Sequence, residues 1–178
     1  GEFMNIASIV EYFAGFHPDY TAIICGDDGR EFTWQEFNTL ANQCAHAFAD
    51  LGVQRGDRVA VYLPNSPEYL IVFFAIAKLG AVKTPFNILF KSGEISYILN
   101  NRRAKIFVLD SAEVKANVLK LGQEVPYLEK IITCGEPVDG TENLETFIAQ
   151  YADTFDTAQT QADDHLALLY TSGTTGQP

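Results

Sequence analysis

Near its C-terminus the chain reads Thr171-Ser172-Gly173-Thr174-Thr175-Gly176. Four hydroxyls and two glycines in six residues supply many donors and little bulk. Hydroxyls rotate to suit an acceptor, and glycines let successive backbone N–H groups converge on one anion. A triphosphate suits such a set, because it concentrates negative charge on many acceptor oxygens. The spacing is not that of a Walker A loop. Gly173 and Gly176 are too close together, and no Gly-Lys-Ser/Thr follows. An ordinary polar turn uses the same residue types, so context has to decide. Here His165-Leu166-Ala167-Leu168-Leu169-Tyr170 reads as a strand that runs straight into the loop. Open α/β sheets place their ligands where buried strands end.

The remaining chemistry-bearing residues are dispersed. His17, His46 and His165 have no metal-ligand spacing, and His46 reads as a solvated position on a helix surface. Asp163-Asp164 reads as a solvated loop end, since two adjacent carboxylates without a third ligand hold a hard cation poorly. Cys25, Cys44 and Cys134 are far apart, odd in number and free of any CxxC pairing, which predicts reduced, partly buried thiols. Tyr69, Phe73 and Phe74 read as core. No metal site and no catalytic residue is expected within the chain.

The loop needs a scaffold, and the composition permits one. Of 178 residues, 47% are hydrophobic and 20% charged, ordinary proportions for a chain that buries a core. The net charge of -11 disfavours nucleic acid and anionic membranes as partners. The longest apolar run, residues 69–77, is far short of the about 20 needed to span a bilayer. With no signal-peptide pattern, a cytoplasmic location is expected. Gly1-Glu2-Phe3 resembles a tag-cleavage remnant, which makes Met4 the expected native start and 4–178 the folded unit.

Helical and strand-like segments alternate. A helix over 5–15 would start at Asn5 and bury Ile6, Ile9, Val10 and Phe13. Residues 21–25 and 30–33 flank the turn Gly26-Asp27-Asp28-Gly29 as a hairpin. Thr33 and Glu36 have capping-box spacing for a helix reaching Leu51, with Gly52 as its stop. A buried strand over 57–63 leads to Ser66-Pro67-Glu68, a helix start, and Gly80 ends that helix. Further strands are expected over 81–85, 104–109, 130–134 and 165–170. Helices are expected over 92–101, from Asp110 to 121, and over 144–150. Residues 152–164 read as a polar surface loop. This alternation predicts an α/β fold: a doubly wound, mainly parallel sheet flanked by helices, with an early β-hairpin.

Tyr170-Thr171-Ser172-Gly173-Thr174-Thr175-Gly176-Gln177-Pro178 resembles the phosphate-binding signature of the adenylate-forming superfamily. That group holds acyl-CoA synthetases, peptide-synthetase adenylation domains and firefly luciferase. In the family the signature continues with Lys-Gly, absent here. Phe32-Thr33-Trp34-Gln35-Glu36-Phe37, Gly52-Val53-Gln54-Arg55-Gly56-Asp57-Arg58-Val59-Ala60, Asn65-Ser66-Pro67-Glu68 with the helix to Gly80, and Pro85-Phe86-Asn87 match further segments in order. Among members, the chain looks most like a bacterial medium- or long-chain fatty acid–CoA ligase.

The resemblance implies a two-step reaction. A carboxylate attacks the α-phosphate of ATP, and coenzyme A then displaces AMP to give a thioester. ATP with Mg2+ and coenzyme A are the implied cofactor and co-substrates. Thr171, Ser172, Gly173, Thr174, Thr175 and Gly176 are the implied ATP phosphate-binding residues. The family's adenine and ribose contacts, metal-binding Glu, hinge and catalytic Lys fall beyond Pro178. The chain is therefore read as the N-terminal part of the AMP-binding domain, inactive alone and inclined to self-associate through bared apolar surface. Two other readings stay open: an adenylation domain loading an amino or aryl acid onto a carrier protein, and a nucleotide-binding or interaction module without chemistry.

Overall fold

Five parallel strands form the centre of the molecule in the spatial order β4-β3-β5-β6-β7. They are β3 (Arg58–Tyr62), β4 (Val82–Pro85), β5 (Ile106–Asp110), β6 (Lys130–Cys134) and β7 (Glu142–Asn143). A separate antiparallel hairpin pairs β1 (Thr21–Ile24) with β2 (Glu31–Thr33). The helices are α1 (Ser8–Phe16), α2 (Trp34–Asp50), α3 (Pro67–Leu79), α4 (Ser92–Arg102) and α5 (Leu144–Ile148). The computed structural model describes residues 4–86, 92–114 and 124–169.

Side-chain alternation along the strands separates two cores. Val59, Val61, Ile106, Val108, Ile132 and Cys134 face one way and pack under α2, α3 and α5. Ala60, Tyr62, Phe107 and Leu109 face the other way and meet Ile95 and Leu99 of α4. Helices cover both faces, which makes the sheet doubly wound as expected.

Local signals set most helix ends. Thr33 Oγ1 accepts from the Glu36 N–H, and the Glu36 carboxylate accepts from the Thr33 N–H, completing the capping box. Such a cap contributes about 1 kcal/mol. Ser66 caps α3 with Pro67 in its first turn, and Gly80 ends it at φ 65°. A left-handed φ of this kind suits glycine, which has no Cβ to clash.

Several expectations shift. The first helix begins at Ser8, not Asn5. Asn5 accepts from the Ala7 N–H and donates to the carbonyls of Ala77 and Ala158, so it clamps three segments together. Val10 is buried as expected, but Ile6 and Ile9 are exposed and Ala7 is buried. Phe13 stacks on Trp34 at 4.7 Å, and this pairing orients the helix. After Asp110 only a short 3-10 turn, Ser111–Glu113, lies inside the described residues. The α5 helix ends at Ile148, and the two-residue β7 carried too little pattern to be read.

Residues 152–164 form a strap over the helices, more than a surface loop. Asn42 Nδ2 donates to the Asp153 carbonyl at 2.7 Å, and the Ala158 N–H donates to the Lys78 carbonyl at 2.7 Å. His46 is half-buried, with Nε2–H donating to the Thr154 carbonyl at 2.5 Å and its ring edge-on to Phe155. The solvated role expected for His46 is thus replaced by a packing role. Asp164 accepts from the Gln161 N–H and pairs with Arg55 at 2.5 Å, so it too is a structural tether.

Candidate phosphate-binding site

The strap delivers the chain to the free side of β4. There the Lys83 N–H donates to the Leu166 carbonyl and the Leu168 N–H donates to the Lys83 carbonyl, each at 2.9 Å. Lys83 and Ala167 form a parallel bridge. The segment therefore runs in the same direction as β4, toward the C-terminal edge of the sheet. Continuing that register brings Leu169 level with Pro85, the last residue of β4.

The strand expected over 165–170 is reduced to this one bridge, and Pro85 supplies the reason. Along β4 the N–H groups of Val82 and Phe86 point toward β3, and that of Lys83 points toward the outer segment. Pro85 follows the Lys83 alternation, so the next bond to the outer segment would need a proline N–H. Proline has none, and a ladder cannot continue past it on that side. Nor is the segment buried as expected: Leu166, Ala167 and Leu168 are half-buried and Leu169 is exposed. It lies beyond β4 and pairs with no further strand among the described residues.

Thr171, Ser172, Gly173, Thr174, Thr175 and Gly176 lie outside the described residues, as does Tyr170. What the fold establishes is the direction from which the chain approaches them.

Electrostatics favour the β4 side of the sheet for an anion. At the other strand ends, Asp110 closes β5, Glu113 follows it, and Glu68 opens α3. Burial pushes the Cys134 thiol up strongly, and the nearby carboxylates of Glu68, Asp110 and Glu145 push it further. Burial also raises Tyr62 at the end of β3, with Glu113 adding to the shift. A phosphate placed there would meet negative charge. Glu68 is partly neutralised by Arg30, whose guanidinium reaches it at 2.5 Å. On β4 itself the charged side chain is Lys83. Its Nζ donates to Tyr69 Oη at 2.6 Å and lies 4.6 Å and 4.4 Å from the ring centroids of Tyr69 and Phe73. Tyr69 and Phe73 are therefore half-buried partners of a cation, while Phe74 packs edge-on to Phe37 in the core.

The other candidate residues do not converge. The cysteines are free, with Cys44 and Cys134 buried and Cys25 half-buried. No group of three or more His, Cys, Asp or Glu is placed to hold a metal ion among the described residues. No described helix is long and apolar enough to cross a membrane. No local motif singles out Lys83 or Pro85. A proline inside a predicted strand is nonetheless a readable sign of an edge.

Comparison with known proteins decides the kinship. The profile of the family described as "AMP-binding enzyme" matches residues 10–178. This chain belongs to the AMP-binding enzyme family. A long-chain-fatty-acid–CoA ligase of Mycobacterium tuberculosis is 30% identical over 180 residues, covering 98% of this chain and 34% of that protein. A crotonobetaine/carnitine–CoA ligase of Salmonella heidelberg is 32% identical, covering 98% of this chain and 35% of that protein. Among solved structures, the anthranilate CoA ligase AuaEII in complex with anthranoyl-AMP superposes with a TM-score of 0.91 at 32% identity, covering 99% of this chain and 34% of its own. An inhibitor-bound N-terminal domain of FACL13 from Mycobacterium tuberculosis superposes with a TM-score of 0.84 at 30% identity, covering 98% of this chain and 42% of its own. The chain spans about a third of the length of the curated relatives it matches. The adenylate-forming resemblance and the α/β fold both hold.

Proposed function

We propose that Thr171, Ser172, Gly173, Thr174, Thr175 and Gly176 form the phosphate cradle of an ATP-dependent acid–CoA ligase. The observation that carries this reading is the parallel run of 165–169 beside β4. At Leu169 the chain heads toward the C-terminal edge of the sheet, on the side away from the carboxylates at the ends of β5 and α3.

In the whole protein, the substrate carboxylate oxygen attacks the α-phosphorus of ATP. The bond to the β-phosphate oxygen breaks, and pyrophosphate leaves. The coenzyme A sulfur then attacks the acyl carbon, its proton is lost, and AMP departs. The cradle's part is electrostatic: hydroxyl and N–H donors take up charge on the departing pyrophosphate. Mg2+ would arrive with the nucleotide.

Fatty acids are the favoured substrate class, through the long-chain ligase relative. An aryl acid is the second reading, favoured by the likeness to the anthranilate ligase. The 178-residue chain alone is proposed to be inactive as a ligase and to bind ATP weakly, in keeping with its share of the relatives' length. A cytoplasmic location fits this chemistry.

The test is ATP titration of the chain followed on backbone amide resonances. Shifts concentrated at 171–176 are expected, and Ser172→Ala or Thr174→Val should weaken binding by about tenfold, the loss of one charge-assisted hydrogen bond. Shifts elsewhere with none at 171–176 would sink the site assignment. In the whole protein, pyrophosphate release across a panel of acids separates fatty from aryl substrates. Nucleotide binding with no release on any acid would favour the module without chemistry.

A further inference from the structure

Lys83 is an unusual residue to find inside a sheet. It is 8% exposed, sits on β4, and sends its ammonium into α3. Tyr69 Oη is its only hydrogen-bond acceptor among the described residues, and no carboxylate pairs with it. A buried ammonium without a counter-charge is costly, and a methionine or leucine would fill the same space. The charge does provide direction. One short hydrogen bond and two ring faces fix where the chain of methylenes runs, whereas an apolar side chain could settle in several rotamers. The backbone of the same residue carries both hydrogen bonds that join 165–169 to the sheet. Pro85 has no N–H to donate the next bond of the ladder.

We propose that Lys83 is a positioning residue: its clamp between Tyr69 and Phe73 fixes β4 against α3, and so fixes where segment 165–169 leaves the sheet and presents the loop at 171–176. This rests on the phosphate-cradle reading above. It assigns the loop's placement to one side chain 88 positions before the loop begins.

Amide exchange tests the joint itself. In Lys83→Met, exchange at the amides of Lys83 and Leu168 should rise by about tenfold or more, as expected of a local opening. The amides of Ala60 and Val108, in the sheet interior, should keep their protection. Tyr69→Phe, which removes only the acceptor, should give a smaller change at the same two amides, and Lys83→Arg should retain most of the protection. On ATP titration, the response at 171–176 should weaken by about tenfold in Lys83→Met, in proportion to the loosened joint. Unchanged exchange at Leu168 in both Lys83→Met and Tyr69→Phe overturns the proposal. Equal acceleration at Val108 also overturns it, because Lys83 would then be ordinary core. A wild-type chain with no ATP response at 171–176 defeats the cradle reading instead, and the exchange data still decide whether Lys83 sets the joint.

Discussion

The ammonium of Lys78, a side chain with no exposed surface, lies 2.6 Å from the carboxylate of Glu11, whose own side chain is 36% exposed. Thr157 of the strap also donates to Glu11, so this one carboxylate ties α1, α3 and the strap together. The two halves of the pair are energetically unequal. Removing Glu11 strands a buried cation, whereas removing Lys78 leaves a carboxylate that water can reach.

Glu11→Ala should therefore destabilise the fold by about 3 kcal/mol, and Lys78→Met by under about 1 kcal/mol, or not at all. Denaturant midpoints at neutral pH check this. Equal losses would mean that both groups are solvated in the folded state.

The same pair predicts a pH dependence. Burial pushes the Lys78 ammonium below its ordinary 10.5, with Glu11 acting against the shift. Between the depressed value and 10.5 the unfolded chain binds more protons, so stability should rise with pH in that alkaline window. Lys78→Met should flatten the rise. A wild-type stability that falls steadily across the window contradicts the assignment.

At the hairpin the same sign applies in acid, where stability again rises with pH. The Arg30 N–H, the Cys25 side chain and the Arg30 guanidinium hold the Asp28 carboxyl at about 2, below its ordinary 3.8. Its contribution is complete above 3.8 and is lost as pH falls through 2. Hairpin amide shifts of wild type should move in that interval, and those of Asp28→Asn should not.

Gly80 and Gly52 offer a paired test of the strap. Both have positive φ, 65° and 84°. A Cβ at Gly80 would lie 3.3 Å from Arg55 Cγ and 3.4 Å from both Ala158 Cβ and Thr160 Cγ2, while one at Gly52 meets nothing within 4 Å. Gly52→Ala should cost about 1 kcal/mol for backbone strain alone. Gly80→Ala should cost more and should also raise proteolysis of 152–164, which Gly52→Ala should leave unchanged.

The outer face of α1 leaves Ile9, Tyr12 and Phe16 exposed at 52%, 56% and 69%. Contiguous apolar surface of this kind favours association. Light scattering should show the chain self-associating at high concentration, and Ile9→Asp with Phe16→Asp should return it to a monomer. A wild-type monomer at the same concentration rules the surface out.

Much of this was legible without coordinates where the signal is local. Thr33 with Glu36, Ser66 with Pro67, and Gly80 each settle a helix end through neighbours within four positions, and the apolar run at 59–62 marks a strand covered on both faces. The roles of Asn5 and His46 differ from expectation because their partners lie 72 to 153 and 108 positions away. No short-range pattern encodes such contacts.

The sequence by itself determined the element types, the alternation that makes a doubly wound parallel sheet, and the composition of the loop at 171–176. Those depend on residue type and on periods of two and 3.6, which any window of the chain displays. Tertiary structure alone decided that 165–169 lies at the edge beside β4 and that one bridge joins it there. It also placed the Lys83 ammonium between Tyr69 and Phe73 and laid the strap across α2 and α3. Spatial strand order and the side of a proline's missing N–H arise only when distant segments are brought into register.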